Sequence, residues 1–170
     1  MVNMIMTPRE IRRYKMQIML PGIGIDGQEK IKQAAVIVVG AGGLGSPVLL
    51  YLASAGVGTI GIAEFDTVDE TNLQRQVLYG SSDIGKLKSI IAKERLEHIN
   101  SFVAVKILNL PVNEKNAVSI FKDYDIVVDA TDNYRTRYVI NDACVILGKP
   151  MVHGSVYKYE GQVAVFNYRG

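Results

Sequence analysis

Four clusters in this 170-residue chain have the residue types and spacing that chemistry on a phosphate group needs. The first is Gly40-x-Gly42-x-x-Gly45, set between an apolar run and a helical pattern. Glycines let the chain turn tightly and bring backbone N–H groups against a phosphate, which a helix N-terminus also attracts. Taken alone the motif says only "nucleotide", because a tight strand-to-helix turn without a ligand can be spelled the same way. The second cluster is the acidic pair Glu64 and Asp66, about twenty residues beyond the glycines, where a carboxylate commonly accepts from ribose hydroxyls. A solvated strand-end carboxylate is the alternative for either one. Glu64, directly on the strand, is the preferred ribose partner.

The third cluster is Asn72-Leu73-Gln74-Arg75-Gln76, followed by Gly85-x-x-Lys88. Arginine offers a fork for phosphate oxygens and lysine a compact point charge, so Asn72, Arg75 and Lys88 can surround a triphosphate. Simple exposure of the basic residues is the competing reading. The fourth is Asp129-Ala130-Thr131-Asp132-Asn133. Asp132 can hold Mg²⁺ through one carboxylate plus substrate phosphates. Equally, Asp132 or Asn133 can cap the helix that begins there.

The elements that must position these residues alternate. Thr7–Gln17 reads as a first helix, with Thr7 as N-cap and Pro8 at the first helical position. Gly27–Gln33 is a short second helix. Ala34–Val39 is an unbroken, β-branched run expected of a strand buried on both faces. A helix from Ser46-Pro47 to near Gly56 follows, then strand Thr59–Ala63, helix Lys86–Ile99, strand Phe102–Leu108 and helix Asn113–Phe121. Strand Ile126–Asp129, helix Asn133–Leu147, and strands Met151–Val156 and Gln162–Phe166 complete the order. Such alternation predicts an α/β, Rossmann-like, mainly parallel sheet with helices on both faces. Gly154 and Gly161 allow the last pair to run antiparallel. In such folds ligands sit at the carboxyl ends of the strands, which is where all four clusters fall.

Composition narrows the classes further. Hydrophobic residues make up 48% and charged residues 21%, as in ordinary globular chains. Nineteen basic against seventeen acidic residues leave +2, too even for nucleic-acid or anionic-membrane binding by charge alone. No apolar stretch reaches 18 residues, and Met1–Lys15 lacks the apolar run of a signal peptide. The expectation is a cytoplasmic protein with no nucleic-acid or membrane partner. The single cysteine, Cys144, permits neither an internal disulfide nor a thiolate metal cage, and within a helix it reads as a small buried hydrophobe. His98 and His153 lack partners at metal-ligand spacing.

Taken together, these segments resemble the ThiF/MoeB/HesA family, prokaryotic relatives of the ubiquitin-activating enzymes. The matching stretches are Gln28–Ile31, Gly40–Gly45, Leu52–Gly58, Asp66-Thr67-Val68, Asn72–Gln76 and Ala130–Asn133. The resemblance implies an adenylyltransferase that binds ATP and Mg²⁺, together with the C-terminal Gly-Gly tail of a ubiquitin-like sulfur-carrier protein. The tail carboxylate would attack the α-phosphate, as a step of sulfur transfer in thiamin- or molybdopterin-type cofactor synthesis. Carried over by position, Gly40, Gly42, Gly43 and Gly45 form the phosphate turn, Glu64 and Asp66 the ribose end. Asn72, Arg75 and Lys88 fall around the triphosphate, Asp132 on Mg²⁺, and Asn133 beside the nucleotide, with Arg75, Lys88 and Asp132 carrying the catalysis. The resemblance also implies a homodimer, in which residues 1–33 form a helical arm and residues 34–170 the ATP-binding adenylation domain.

Three departures from the family pattern stand out. Glu64 replaces the usual Asp. Met16 occupies the place of an arginine that reaches the partner subunit's ATP site. The family's zinc-binding cysteine pair, crossover loop and reactive cysteine are absent, so the chain is expected to be the adenylation half of a longer protein, with a short variant that lost the second half as the alternative. Two other classes compete with the enzyme reading. An NAD-dependent oxidoreductase accounts for the glycines and the downstream acid but leaves Asn72–Gln76, Lys88 and Thr131–Asn133 unexplained. A non-catalytic nucleotide- or carrier-binding homologue accounts for Met16. Tyr157, Tyr159 and Gln162 are candidate carrier contacts.

Overall fold

The computed structural model describes residues 6–168, so the first five residues of the expected arm and the last two of the expected domain lie outside the described residues. Three short helices lead in: α1 (Pro8–Arg13), α2 (Lys15–Ile18) and α3 (Gly24–Gln33). The main body then runs β1 (Ala35–Val39), α4 (Gly45–Ala55), β2 (Thr59–Ala63), α5 (Lys88–Ile99), β3 (Ala104–Leu108), α6 (Ala117–Phe121), β4 (Ile126–Asp129), α7 (Tyr134–Leu147), β5 (Met151–Tyr157) and β6 (Glu160–Phe166). The six strands form one sheet in the order β3-β2-β1-β4-β5-β6. All neighbours are parallel except β5 and β6, an antiparallel pair. The chain is therefore α/β and Rossmann-like, as its sequence pattern predicts.

β1 shows why the run is continuously apolar. Val36 and Val38 pack with Leu49 and Ala53 of α4 and Ile91 and Leu96 of α5. Ile37 and Val39 face the other way, against Phe121 of α6 and Ile140 and Ala143 of α7. Alternate residues thus serve opposite layers, and both layers are dry. Each such side chain contributes about 1.5–3 kcal/mol by leaving water.

Several boundaries differ from the sequence expectation, each for a local reason. The expected helix Thr7–Gln17 breaks at Tyr14, whose buried ring packs on Gly56 and whose hydroxyl accepts from Asn100 Nδ2 at 2.8 Å. Gly56 has φ +85°, and a β-carbon there would lie 2.5 Å from the Tyr14 ring. The N-cap expected at Thr7 is present, and Glu10 adds to it to make a capping box. Helix α5 starts at Lys88 rather than Lys86, because Lys86 and Leu87 are extended and pair with Thr67 and Val68. The expected helix Asn113–Phe121 shortens to Ala117–Phe121, since Asn113 and Asn116 turn their side chains onto nearby backbone instead. Among the described residues no helix is long and apolar enough to cross a membrane.

Candidate functional site

At the carboxyl ends of β1, β2 and β4 lies a cavity of about 600 Å³. Gly40, Gly42 and Gly43 form one wall, Glu64, Asp66, Arg75 and Lys88 a second, and Thr131, Asp132 and Asn133 a third. Leu110, Pro111 and Val112, beyond the end of β3, close it with an apolar surface. The strand order reverses between β1 and β4, the topological switch point at which doubly wound sheets bind ligands.

The glycine turn is built for backbone exposure. Gly40 has φ +91°, and α4 starts without any side-chain cap. Gly42, Gly43 and Leu44, the residues just before the helix, line the cavity with the positive end of the helix dipole behind them. Arg75 lays its stem over Gly43, where a β-carbon would come within 3.4 Å of Cγ, and Nη1 donates to the Thr71 carbonyl at 3.1 Å. Lys88, the first residue of α5, is 5% exposed, and its Nζ stands 3.3 Å from Asp66 Oδ2. Two cations thus flank the turn.

The acidic pair divides its work. Glu64 is buried: Oε2 accepts from Ala41 N at 2.9 Å, and Oε1 accepts from Phe65 N and Asp66 N at 2.8 and 2.9 Å. It ties the glycine turn to the end of β2, a structural duty the sequence reading did not foresee. Asp66 is the more exposed carboxylate. Tyr79 buttresses the same turn, donating to the Ala41 carbonyl at 2.8 Å. Burial, with the nearby Glu64 and Asp66 charges, pushes its hydroxyl well above the usual range, so it stays a donor.

Two expected ligand residues do not line the cavity. A β-carbon on Gly45 would sit 2.0 Å from the Gly40 carbonyl oxygen, so this glycine lets the turn close on itself. Asn72 lies in a 3₁₀ turn, where Oδ1 accepts from Asp69 N and its carbonyl accepts from Arg75 N and Gln76 N; it shapes the loop that carries Arg75. Asn133 caps α7 by accepting from Thr136 N at 2.9 Å, as one of the two readings expects, and it also lines the cavity. Asp132 is exposed, with no side-chain bond among the described residues.

The sequence does not point to Arg137, and it offers Gln76 only as the end of the Asn72–Gln76 string. Both line the cavity, and among the described residues Arg137 Nε and Gln76 Oε1 are the buried side-chain polar atoms without a partner. Arg137 Nη2 donates to the Thr131 carbonyl at 3.1 Å, and its guanidinium lies over the Tyr134 ring. The available signal was position: Arg137 falls in the first turn of a helix that opens at the site. Cys144 lies in the core under α7 and is 1% exposed, and burial pushes its thiol up to about 11, in keeping with the hydrophobe reading. Met16 is exposed on α2, and His98, Tyr157 and Tyr159 are exposed away from the cavity. Among the described residues no three His, Cys, Asp or Glu side chains cluster into a metal site by themselves. A cation held by Asp132 and ligand phosphates together is compatible with that.

Known proteins resemble the chain over nearly all of its length. It is 52% identical over 157 residues to "Probable adenylyltransferase/sulfurtransferase MoeZ" of Mycobacterium tuberculosis, covering 92% of this chain and 40% of that one. It is 51% identical over 162 residues to the sulfur carrier protein adenylyltransferase of Thermus thermophilus, covering 95% of this chain and 60% of that one. The chain thus spans 40–60% of the length of these two relatives. Its fold matches the crystal structure of E. coli tRNA N6-threonylcarbamoyladenosine dehydratase TcdA in complex with ATP, with a TM-score of 0.83 and 26% identity over 91% of this chain and 65% of that one. The ThiF family model matches residues 14–170, and the chain belongs to the ThiF family.

Proposed function

We propose that the cavity binds ATP with Mg²⁺ and that the chain adenylates the C-terminal Gly-Gly carboxylate of a ubiquitin-like sulfur-carrier protein. The observation that carries the reading is the uncapped start of α4 behind the glycine turn, flanked by Arg75 and Lys88 and faced by the unengaged carboxylate of Asp132. The name of the T. thermophilus relative and the ATP complex of TcdA support it.

In this reading Gly40, Gly42 and Gly43 present backbone to the phosphates, and the acidic end of β2 takes the ribose. Asp66 is the freer acceptor there, while Glu64 holds the turn and offers its remaining lone pair. The apolar surface at Leu110–Val112 covers the base. Asp132 would hold Mg²⁺, which would neutralise charge on the phosphate oxygens. The carrier's carboxylate oxygen attacks the α-phosphorus, the bond to the bridging oxygen breaks, and pyrophosphate leaves with that electron pair. The nucleophile is already ionised, so no general base is needed. The work left to the protein is to bring two anions together and stabilise the charge that moves onto pyrophosphate, which Arg75 and Lys88 perform. Arg137 offers an N–H donor to an oxygen of the incoming tail.

The same reading makes the protein a cytoplasmic homodimer acting in thiamin- or molybdopterin-type sulfur transfer, with residues 1–33 as the arm and 34–170 as the adenylation domain. It needs no zinc within this segment. The test is isotope exchange between pyrophosphate and ATP in the presence of carriers ending in Gly-Gly. Exchange that requires both Mg²⁺ and an intact Gly-Gly end is expected. ATP binding with no exchange for any carrier would leave the non-catalytic homologue, which exposed Met16 favours. Binding of NAD in place of ATP would overturn both.

A further inference from the structure

Asp129 closes β4 with a fully buried carboxylate engaged at both oxygens. Oδ1 accepts from the backbone N of Thr131 at 3.0 Å and from its Oγ1 at 2.6 Å. Oδ2 lies 2.7 Å from Nδ1 of His153, the residue paired with Asp129 in register on β5. His153 is itself mostly buried, with its ring 6.4 Å from that of Phe166 on β6. Nothing in the adenylation chemistry uses this pair, although it lies directly beneath the loop that carries Asp132.

That loop is held on three sides. Asp129 grips the N–H and hydroxyl of Thr131, and Arg137 grips the Thr131 carbonyl. The Ala130 carbonyl packs so closely on Gly40 that a β-carbon there would be 2.8 Å away. Asp132 comes next and has no side-chain bond among the described residues, so the backbone turn sets the direction from which its carboxylate reaches into the cavity. We infer that His153 is a positioning residue, which through Asp129 fixes the Ala130–Asp132 turn and so places the Asp132 carboxylate for a divalent cation. This rests on the reading of Asp132 given above.

The physical argument is one of satisfaction. Without a donor at His153, Asp129 Oδ2 is left buried and unpaired, at a cost well above that of an ordinary hydrogen bond. The carboxylate relieves that cost by turning towards water, which weakens its acceptance from Thr131 and loosens the turn bearing Asp132. Partners that orient a metal-binding group in this way commonly change metal affinity by one to two orders of magnitude.

The test compares the unmodified chain with His153→Leu, which removes the donor, and His153→Asn, whose side-chain amide can replace the Nδ1–H group. Two readouts are taken: amide hydrogen exchange at Ala130 and Thr131, whose N–H groups are bonded to Val39 and Asp129, in the nucleotide-free protein, and the Mg²⁺ concentration that gives half-maximal pyrophosphate–ATP exchange. In His153→Leu the two amides are expected to exchange about tenfold faster, and the Mg²⁺ requirement to rise about tenfold with most of kcat recovered at saturation. In His153→Asn both return towards the parent values. Unchanged exchange at Thr131 in His153→Leu overturns the inference. So does an equal loss in both variants that follows their melting temperatures, since that would be fold stability alone. Should the parent chain catalyse no pyrophosphate exchange, the adenylation reading fails, and the amide measurement still decides whether His153 holds the turn.

Discussion

Gly45 and Gly40 close the strand-to-helix turn onto one another: a β-carbon on Gly45 would stand 2.0 Å from the Gly40 carbonyl oxygen. That contact is with backbone and cannot be relieved by a rotamer change. Gly43 differs, because a β-carbon there meets only the flexible stem of Arg75, at 3.4 Å. The two glycines of one motif therefore fail in different ways when replaced by alanine. Gly45→Ala is expected to cost about 3 kcal/mol, on the order of 6–12 °C in Tm for a chain of this size. Gly43→Ala should fold within about 0.5 kcal/mol of the parent while losing at least about tenfold in ATP affinity, because its methyl group stands where phosphate approaches. Thermal melts with and without ATP separate the two. A Gly43→Ala chain that binds ATP normally would remove the phosphate role from that turn.

Lys88 and Asp66 form an asymmetric pair, the lysine buried and the carboxylate half exposed. Removing the buried charge takes away its desolvation cost as well as the pairing, so Lys88→Met should stay within about 1 kcal/mol of the parent in stability. Its pyrophosphate–ATP exchange should fall by about two to three orders of magnitude, as when a charge-stabilising donor is lost. Asp66→Asn leaves Lys88 buried with a weaker partner and should be the less stable variant, by about 1–3 kcal/mol. Asp66→Asn also weakens an acceptor for the ribose, so its ATP affinity should fall by about fivefold, as for one hydrogen bond, against a larger loss in Lys88→Met. An unchanged Kd for ATP in Lys88→Met would separate Lys88 from the phosphates.

How much of this was legible in the sequence depended on the kind of signal. The β1 run, the glycine turn and the strand–helix alternation were readable because each is local: burial on both faces, a tight turn and a switch of hydrophobic period leave marks within a few residues. Glu64 is legible as an acid at a strand end, which points to a ribose, whereas its three backbone N–H partners come from two separate loops and leave no pattern in sequence. Asn72 and Gly45 belong to their motifs by spacing, yet they act on the backbone of the loop rather than on the cavity. The Tyr14 break and the Asp129–His153 pair depend on residues far apart in sequence that the fold brings together. Asp129 and His153 are 24 positions apart and meet only because β5 lies beside β4.

Cys144 gives a prediction with a sign in pH. Its thiol is raised from 9.0 to about 11 by burial, which outweighs the opposing charge of Lys149, and the Asp129 charge adds a lesser push upwards. A group whose ionisation is harder in the folded state favours folding while it is protonated. Its contribution is therefore complete below about pH 9 and lost as pH rises from 9 towards 11. Native protein at pH 8 should react with a thiol reagent far more slowly than denatured protein, and Cys144→Ala should keep its pyrophosphate exchange. Cys144→Ser, which buries a hydroxyl in the α7 core, should be less stable by about 1–3 kcal/mol. Fast labelling of the native chain at pH 8 would overturn the core assignment.

Arg137 separates the two substrates. Arg75 and Lys88 flank the glycine turn and so act on the triphosphate, whereas Arg137 stands on α7, across the β4 loop from them, with a buried Nε–H that has no acceptor. A buried donor left unpaired is costly, and an oxygen of the carrier tail entering the cavity would relieve that cost. Arg137→Lys keeps the positive charge but removes the Nε–H and the fork. It should raise KM for the carrier by about 10- to 100-fold, matching the loss of one charge-assisted hydrogen bond, and leave the Kd for ATP within about twofold, since uniform binding of one substrate is not binding of the other. Arg75→Ala should show the reverse pattern, with the larger effect on ATP. If Arg137→Lys weakened ATP as much as Arg75→Ala does, Arg137 would belong with the triphosphate cations, and the carrier tail would need another donor.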